Sequence, residues 1–167
     1  MTNNDILRRI RYILDLNDNK VIAIFNHVEY PVTREQISNW LKKEDDADYK
    51  NCNDNQFAHF LNGLITEKRG KKDGPIPKAE KSLNNNLIFT KLKIAFNLKA
   101  EDVLAILELA DLQISRHELS AFFRKPAHKH YRSCKDQILR NFIMGLQLKY
   151  RPPSMATEAF AWPDQEA

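Results

Sequence analysis

Residues 33–69 read TREQISNWLKKEDDADYKNCNDNQFAHFLNGLITEKR, and residues 115–151 read SRHELSAFFRKPAHKHYRSCKDQILRNFIMGLQLKYR. The second stretch is the first one displaced by 82 positions, without a gap. Arg34 and Ser38 meet Arg116 and Ser120; Tyr49, Cys52 and Asp54 meet Tyr131, Cys134 and Asp136; Phe60, Gly63 and Leu64 meet Phe142, Gly145 and Leu146. Trp40 and Leu41 meet Phe122 and Phe123. A fixed period that aligns loops as well as apolar positions marks an internal repeat.

The register extends upstream. Ile6 meets Ile88, Leu16 meets Leu98, Val21 meets Val103, and Ala23-Ile24 meets Ala105-Ile106. Each unit reads as four helices. The first spans about 4–16 and again 86–98, with Ile6, Ile10, Ile13 and Leu14 at helical spacing and Arg8, Arg9 and Arg11 between them. The second spans about 18–29, with Val21, Ile24, Phe25 and Val28 on one face, matched by Val103, Ile106, Leu107 and Ala110. The third opens on a capping box, Thr33 with Gln36 and Ser115 with Glu118. Ile37, Trp40 and Leu41 then point inward, as do Leu119, Phe122 and Phe123. The fourth spans about 54–68, and Phe57, Phe60, Leu61 and Leu64 pair with Leu139, Phe142, Ile143 and Leu146. Gly63 and Gly145 interrupt it, at a cost of about 1 kcal/mol against Ala. Their recurrence predicts another helix crossing close by.

The fold class is therefore all-α: two tandem pseudo-symmetric units of about four helices each, expected to pack into one body. The expected organisation is 1–69 for the first unit, 70–83 for a linker, 84–151 for the second unit and 152–167 for a flexible tail. The linker holds glycine and two prolines without apolar period. In the tail, Phe160 and Trp162 are the residues able to dock.

No apolar run approaches the roughly 20 residues that span a bilayer, and the first fifteen residues lack a signal-peptide core. A cytoplasmic protein without a membrane partner is expected. Two cysteines do not make a disulfide scaffold.

Charge divides the halves. Residues 84–151 carry twelve Lys/Arg against six Asp/Glu, whereas residues 4–69 carry ten against eleven. The duplicated loops are inverted: Glu44-Asp45-Asp46-Ala47-Asp48 is acidic, and Arg124-Lys125-Pro126-Ala127-His128-Lys129-His130 is basic. A polyanion should prefer the second unit. Alternatively, the opposite loops face each other, or both are plain solvated surface.

The repeat resembles the YehS-like family of small uncharacterised bacterial proteins, a duplicated helical domain of unknown function. The resemblance rests on Val103–Ala110, Ser115–Ser120, Tyr131–Asp136 and Phe142–Leu146 with their first-half equivalents, and extends to about Arg151. It implies an all-helical bacterial cytoplasmic protein. It implies no activity, cofactor or catalytic residue.

Three constellations bear on chemistry. Tyr-(Lys/Arg)-x-Cys-x-Asp occurs at 49–54 and 131–136. A helix N-terminus can activate a thiol, but the adjacent Asp opposes this, and packing of Tyr and Cys beneath the loop is the simpler reading. His128, His130 and Cys134 are zinc-ligand types, but their spacing matches no usual zinc motif and a fourth ligand is missing, so no metal and no cofactor is expected. The second and third helices could form a helix-turn-helix. Arg116, His117, Arg124, Lys125, Lys129 and Arg132 are then the candidate polyanion-binding residues. No phosphate-cradling glycine loop, Gly-x-Ser-x-Gly or His-Glu-x-x-His is present. The expected function is a non-enzymatic binding or adaptor protein, its partner a protein or nucleic acid. The alternative is a DNA- or RNA-binding regulator using the basic second unit.

Overall fold

The computed structural model describes residues 1–153. The tail residues 154–167, with Phe160 and Trp162, lie outside the described residues. The described chain is all-helical. The first unit contains α1 (Asn3–Ile13), α2 (Asp18–Asn26), α3 (Arg34–Leu41) and α4 (Asp54–Arg69). The second contains α5 (Asn85–Ala95), α6 (Ala100–Leu109), α7 (Arg116–Phe122) and α8 (Asp136–Tyr150). Each helix of the second unit begins 82 residues after its counterpart. The described chain divides after Leu83 into two compact units.

Both expected capping boxes form. The Thr33 and Ser115 hydroxyls accept from the N–H groups of Gln36 and Glu118, whose side chains accept from the cap N–H groups in return. Thr2 with Asp5 and Asn53 with Gln56 close two further boxes. These devices satisfy N–H groups that a helix start leaves without intrahelical partners.

The first two helices of each unit stop short of the sequence-based expectation, and the reason is visible in the backbone. Asp15, Glu29, Asn97 and Asp111 all have positive φ, between 52° and 61°. At each, the chain folds back in the Schellman pattern: Leu16 N–H donates to the Arg11 carbonyl at 2.9 Å, and Leu98, Tyr30 and Leu112 do the same at their sites. Glycine usually fills this position. Its absence is why the apolar period runs on past the true helix ends.

Ile24, Phe25, Trp40, Phe57, Phe60 and Leu64 form the core of the first unit, and Phe89, Ile106, Phe122, Phe142, Ile143 and Leu146 that of the second. Arg9 departs from the expected pattern. The apolar stripe leaves it on the flank of α1, yet it is only 1 % exposed. Burial and the neighbouring Arg8 charge bring its guanidinium down to about 10, with Asp5 acting in opposition. Residues 70–83, read as a linker, are tied to the first unit: Asn55 donates to the Glu80 carbonyl, and the Asp54 carboxylate accepts from the Leu83 N–H. Residues 70–77 enclose a cavity of about 220 Å³ with His27, Val28, Ile65 and Thr66.

The two internal glycines allow the close crossings expected of them. A Cβ on Gly63 would lie 2.1 Å from the Ile24 carbonyl oxygen, and one on Gly145 would lie 2.1 Å from that of Ile106. The obstacle is backbone, so no side-chain rotation relieves it. Gly145→Ala should therefore destabilise the protein by about 1–3 kcal/mol through overpacking, although alanine is the better helix former by about 1 kcal/mol. A denaturant melt decides, and a stabilised variant would refute the close crossing.

Candidate polyanion-binding site

The loops after α3 and α7 lack regular secondary structure. What positions them is a pair of buried asparagines. Asn4 is 0 % and Asn86 7 % exposed, each on the first helix of its unit. The Asn86 Nδ2 donates to the carbonyls of Phe122 (3.1 Å) and Arg132 (2.8 Å), and its Oδ1 accepts from the Cys134 N–H at 2.9 Å. Asn4 repeats all three bonds with Trp40, Lys50 and Cys52. One side chain thus gathers the end of the third helix and both sides of the loop end. The preceding asparagines add a second tie. Asn3 donates to the Cys52 carbonyl and the Asp54 carboxylate, and Asn85 to the Cys134 carbonyl and the Asp136 carboxylate.

This clasp accounts for the Tyr-x-x-Cys-x-Asp repeats. Cys52 and Cys134 are buried beneath their loops. Burial first, then the neighbouring Asp54 or Asp136 charge, pushes each thiol up to about 12. A thiol held there carries almost no thiolate at neutral pH, so it makes a poor nucleophile. Tyr49 and Tyr131 are half-buried. Among the described residues no group of three His, Cys, Asp or Glu is arranged to hold a metal ion; His128 and His130 are exposed while Cys134 is buried.

All six candidate residues of the second unit, Arg116, His117, Arg124, Lys125, Lys129 and Arg132, are exposed. α7 is two turns long, and Leu119, Ala121 and Phe122 are buried. Arg116 and His117 occupy its outer start. Among the described residues Arg116 is the one candidate in an ion pair, with Glu101 at 3.8 Å, and both side chains of that pair are largely exposed. Such a pair contributes little and is readily exchanged.

The structure brings Arg116 and Arg124 to the rim of one groove of about 260 Å³. Lys93 of α5, Ala100, Leu119, Ser120 and Phe123 complete it. The Lys93 ammonium sits 5.2 Å from the centroid of the Phe123 ring, within reach of its negative face. Lys93 was missing from the sequence-based set, because it lies on a helix far from the basic loop in the chain. His117, Lys125, Lys129 and Arg132 do not line this groove. His117 lies beside His130, with ring centroids 6.1 Å apart, and the Arg132 guanidinium donates to the Tyr131 carbonyl.

Beside the groove, His128 faces Arg124. The His128 Nδ1 accepts from the His130 N–H at 3.0 Å. The His128 Nε2 is 3.4 Å from the Arg124 Nη1.

The structure therefore defines an all-α protein of two tandem four-helix units. The family described as "Protein of unknown function (DUF1456)" matches residues 3–70 and again 85–151, and the chain belongs to that family. It is 46 % identical over 147 residues to the Escherichia coli (strain K12) "Uncharacterized protein YehS", covering 87 % of this chain and 94 % of that relative. No solved structure matches the chain. No helix among the described residues is long and apolar enough to cross a membrane.

Two outcomes follow from this geometry. Asn86→Leu, close in size but unable to pair, should destabilise the protein by on the order of 3 kcal/mol, because it strands buried partners. A loss below about 1 kcal/mol in denaturant melts would show that the loop has another anchor. Neither cysteine of the folded chain should react with a thiol reagent near neutral pH, and both should react after unfolding. Rapid labelling of the native protein would contradict the burial described here.

Proposed function

We propose that this chain is a non-enzymatic binding protein whose second unit holds the phosphate backbone of nucleic acid. The observation that carries the reading is the exposed cationic face of α7 and the loop after it. Arg116, His117, Arg124, Lys125, Lys129 and Arg132 are all solvent-facing there, and among the described residues the ion pair they make is that of Arg116 with Glu101 at 3.8 Å. Exposed cations that are not tied up in strong internal ion pairs are available to phosphates, and phosphate contacts supply sequence-independent affinity. The equivalent loop of the first unit instead carries Glu44, Asp45, Asp46 and Asp48.

The reading favours backbone contact over reading of base edges. α7 uses Leu119, Ala121 and Phe122 for packing. Little of its length remains to lie in a major groove in the manner of a recognition helix.

The test is a mobility shift with generic duplex DNA at several salt concentrations. Wild type should bind, with affinity falling steeply as salt rises. Reversing Arg124 and Lys125 to Glu should weaken binding strongly at low salt. Reversing Lys42 and Lys43 should do much less. Equal binding by both variants and wild type would overturn the proposal. Loss of self-association in the Arg124/Lys125 variant, seen by sedimentation with no DNA binding in wild type, would point instead to pairing of the acidic and basic loops.

A further inference from the structure

The two units place three cations at equivalent positions, but among the described residues carboxylates pair with two of them in the first unit and with one in the second. In the first unit the positions are Arg11, Arg34 and Lys42. The Arg11 guanidinium pairs with Asp18 at 3.2 Å. Arg34 donates to the Asn19 side chain. Lys42 donates to the Asn39 side chain at 3.0 Å and lies 4.0 Å from Asp48. Four acceptors thus serve three cations.

In the second unit the cations persist as Lys93, Arg116 and Arg124, and the acceptors are largely gone. The 82-residue offset turns Asp18 into Ala100, Asn39 into Ala121 and Asp48 into His130. Asn19 alone becomes a stronger acceptor, Glu101, and it sits 3.8 Å from Arg116. Lys93 has no ion pair among the described residues, and its ammonium lies over Phe123 instead. Arg124 Nη1 lies 3.4 Å from His128 Nε2 and has no carboxylate partner among the described residues. The result is an open concavity of about 260 Å³ with three positive charges at its rim and Ala100 where the other unit holds an acid.

We propose that this groove of the second unit is a seat for one phosphate group, taken from a nucleic-acid backbone, held by Lys93, Arg116 and Arg124. The inference rests on the nucleic-acid reading above and locates its principal contact. Position 100 is the determinant. An acid there would neutralise Lys93 internally, as Asp18 does for Arg11, while an alanine leaves the charge to an outside anion. Guanidinium groups suit phosphate oxygens through paired donors, and the ammonium adds a point charge. Phe123 forms part of the wall against which the lysine is held.

The experiment uses the full chain, with inorganic phosphate and a short duplex DNA as separate probes, each followed by backbone amide chemical shifts. Wild type should show saturable shifts at Lys93, Ser120 and Arg124 with either probe. Ala100→Asp should abolish the phosphate response, weaken duplex binding about tenfold, and lower the salt slope by about one. This variant should fold, since an acid in the first turn of α6 is favourable and the first unit already carries one there. Lys93→Gln should lose the phosphate response in the same way. Unchanged phosphate and duplex binding in both variants would overturn the seat. Duplex binding by wild type without any phosphate response in this groove would also overturn it, and leave the broader reading standing. Phosphate binding in the groove without duplex binding would support the seat and reject nucleic acid as its source. Binding of neither probe would overturn both.

Discussion

A buried side-chain amide decides where the variable surface of this protein can go. Asn4 and Asn86 each spend both ends of the amide on backbone groups of a loop that has no helix or strand of its own. Desolvating that amide is tolerable only because its partners are satisfied at the same time. The consequence is a loop held at both of its ends, from the last turn of the third helix to the cysteine two residues before the fourth. Between those ends the chain is free to change its side chains without changing its path. The glycine crossings at Gly63 and Gly145 play the matching part for the helices, bringing the fourth helix onto the second closely enough to bury the aromatic core.

This separation of scaffold from surface explains how two copies of one unit can diverge so far in charge. The amide clasp, the capping boxes and the close crossings recur at the 82-residue offset. The exposed loop is acidic in the first unit and basic in the second, and Asp18 and Asn39 of the first stand where the second has Ala100 and Ala121. None of these exchanges touches the clasp. Charge was therefore free to vary where it costs the fold little, since exposed ion pairs contribute about 0–1 kcal/mol.

Much of the architecture was legible because repetition supplies its own control. A residue pattern seen twice, such as Thr33-x-x-Gln36 and Ser115-x-x-Glu118, separates structural signals from chance. The helix ends were less legible. Asp15, Glu29, Asn97 and Asp111 adopt the left-handed conformation that glycine usually marks, and Leu16 and Leu98 carry the apolar period beyond the true ends. The asparagine clasp was present as an aligned pair, but an Asn at the start of a helix reads as a cap. Its burial is set by tertiary contacts with residues far along the chain. Lys93 escaped for the same reason. The sequence gathered Arg116 and Arg124 by proximity along the chain, whereas α5 brings Lys93 to them in space. Comparing position 18, an acid, with its counterpart at position 100, an alanine, is the signal that would have found it.

The central claim is that one scaffold presents two different surfaces, and that the one open to anions belongs to the second unit. Mapping amide shifts across the whole chain, as a short duplex DNA is titrated in at low salt, tests it most directly. The account predicts shifts concentrated at Lys93 and from Arg116 to Arg132, and silence at their counterparts Arg11 and Arg34 to Asp48. Shifts of similar size in both units, or shifts confined to the first, would contradict it.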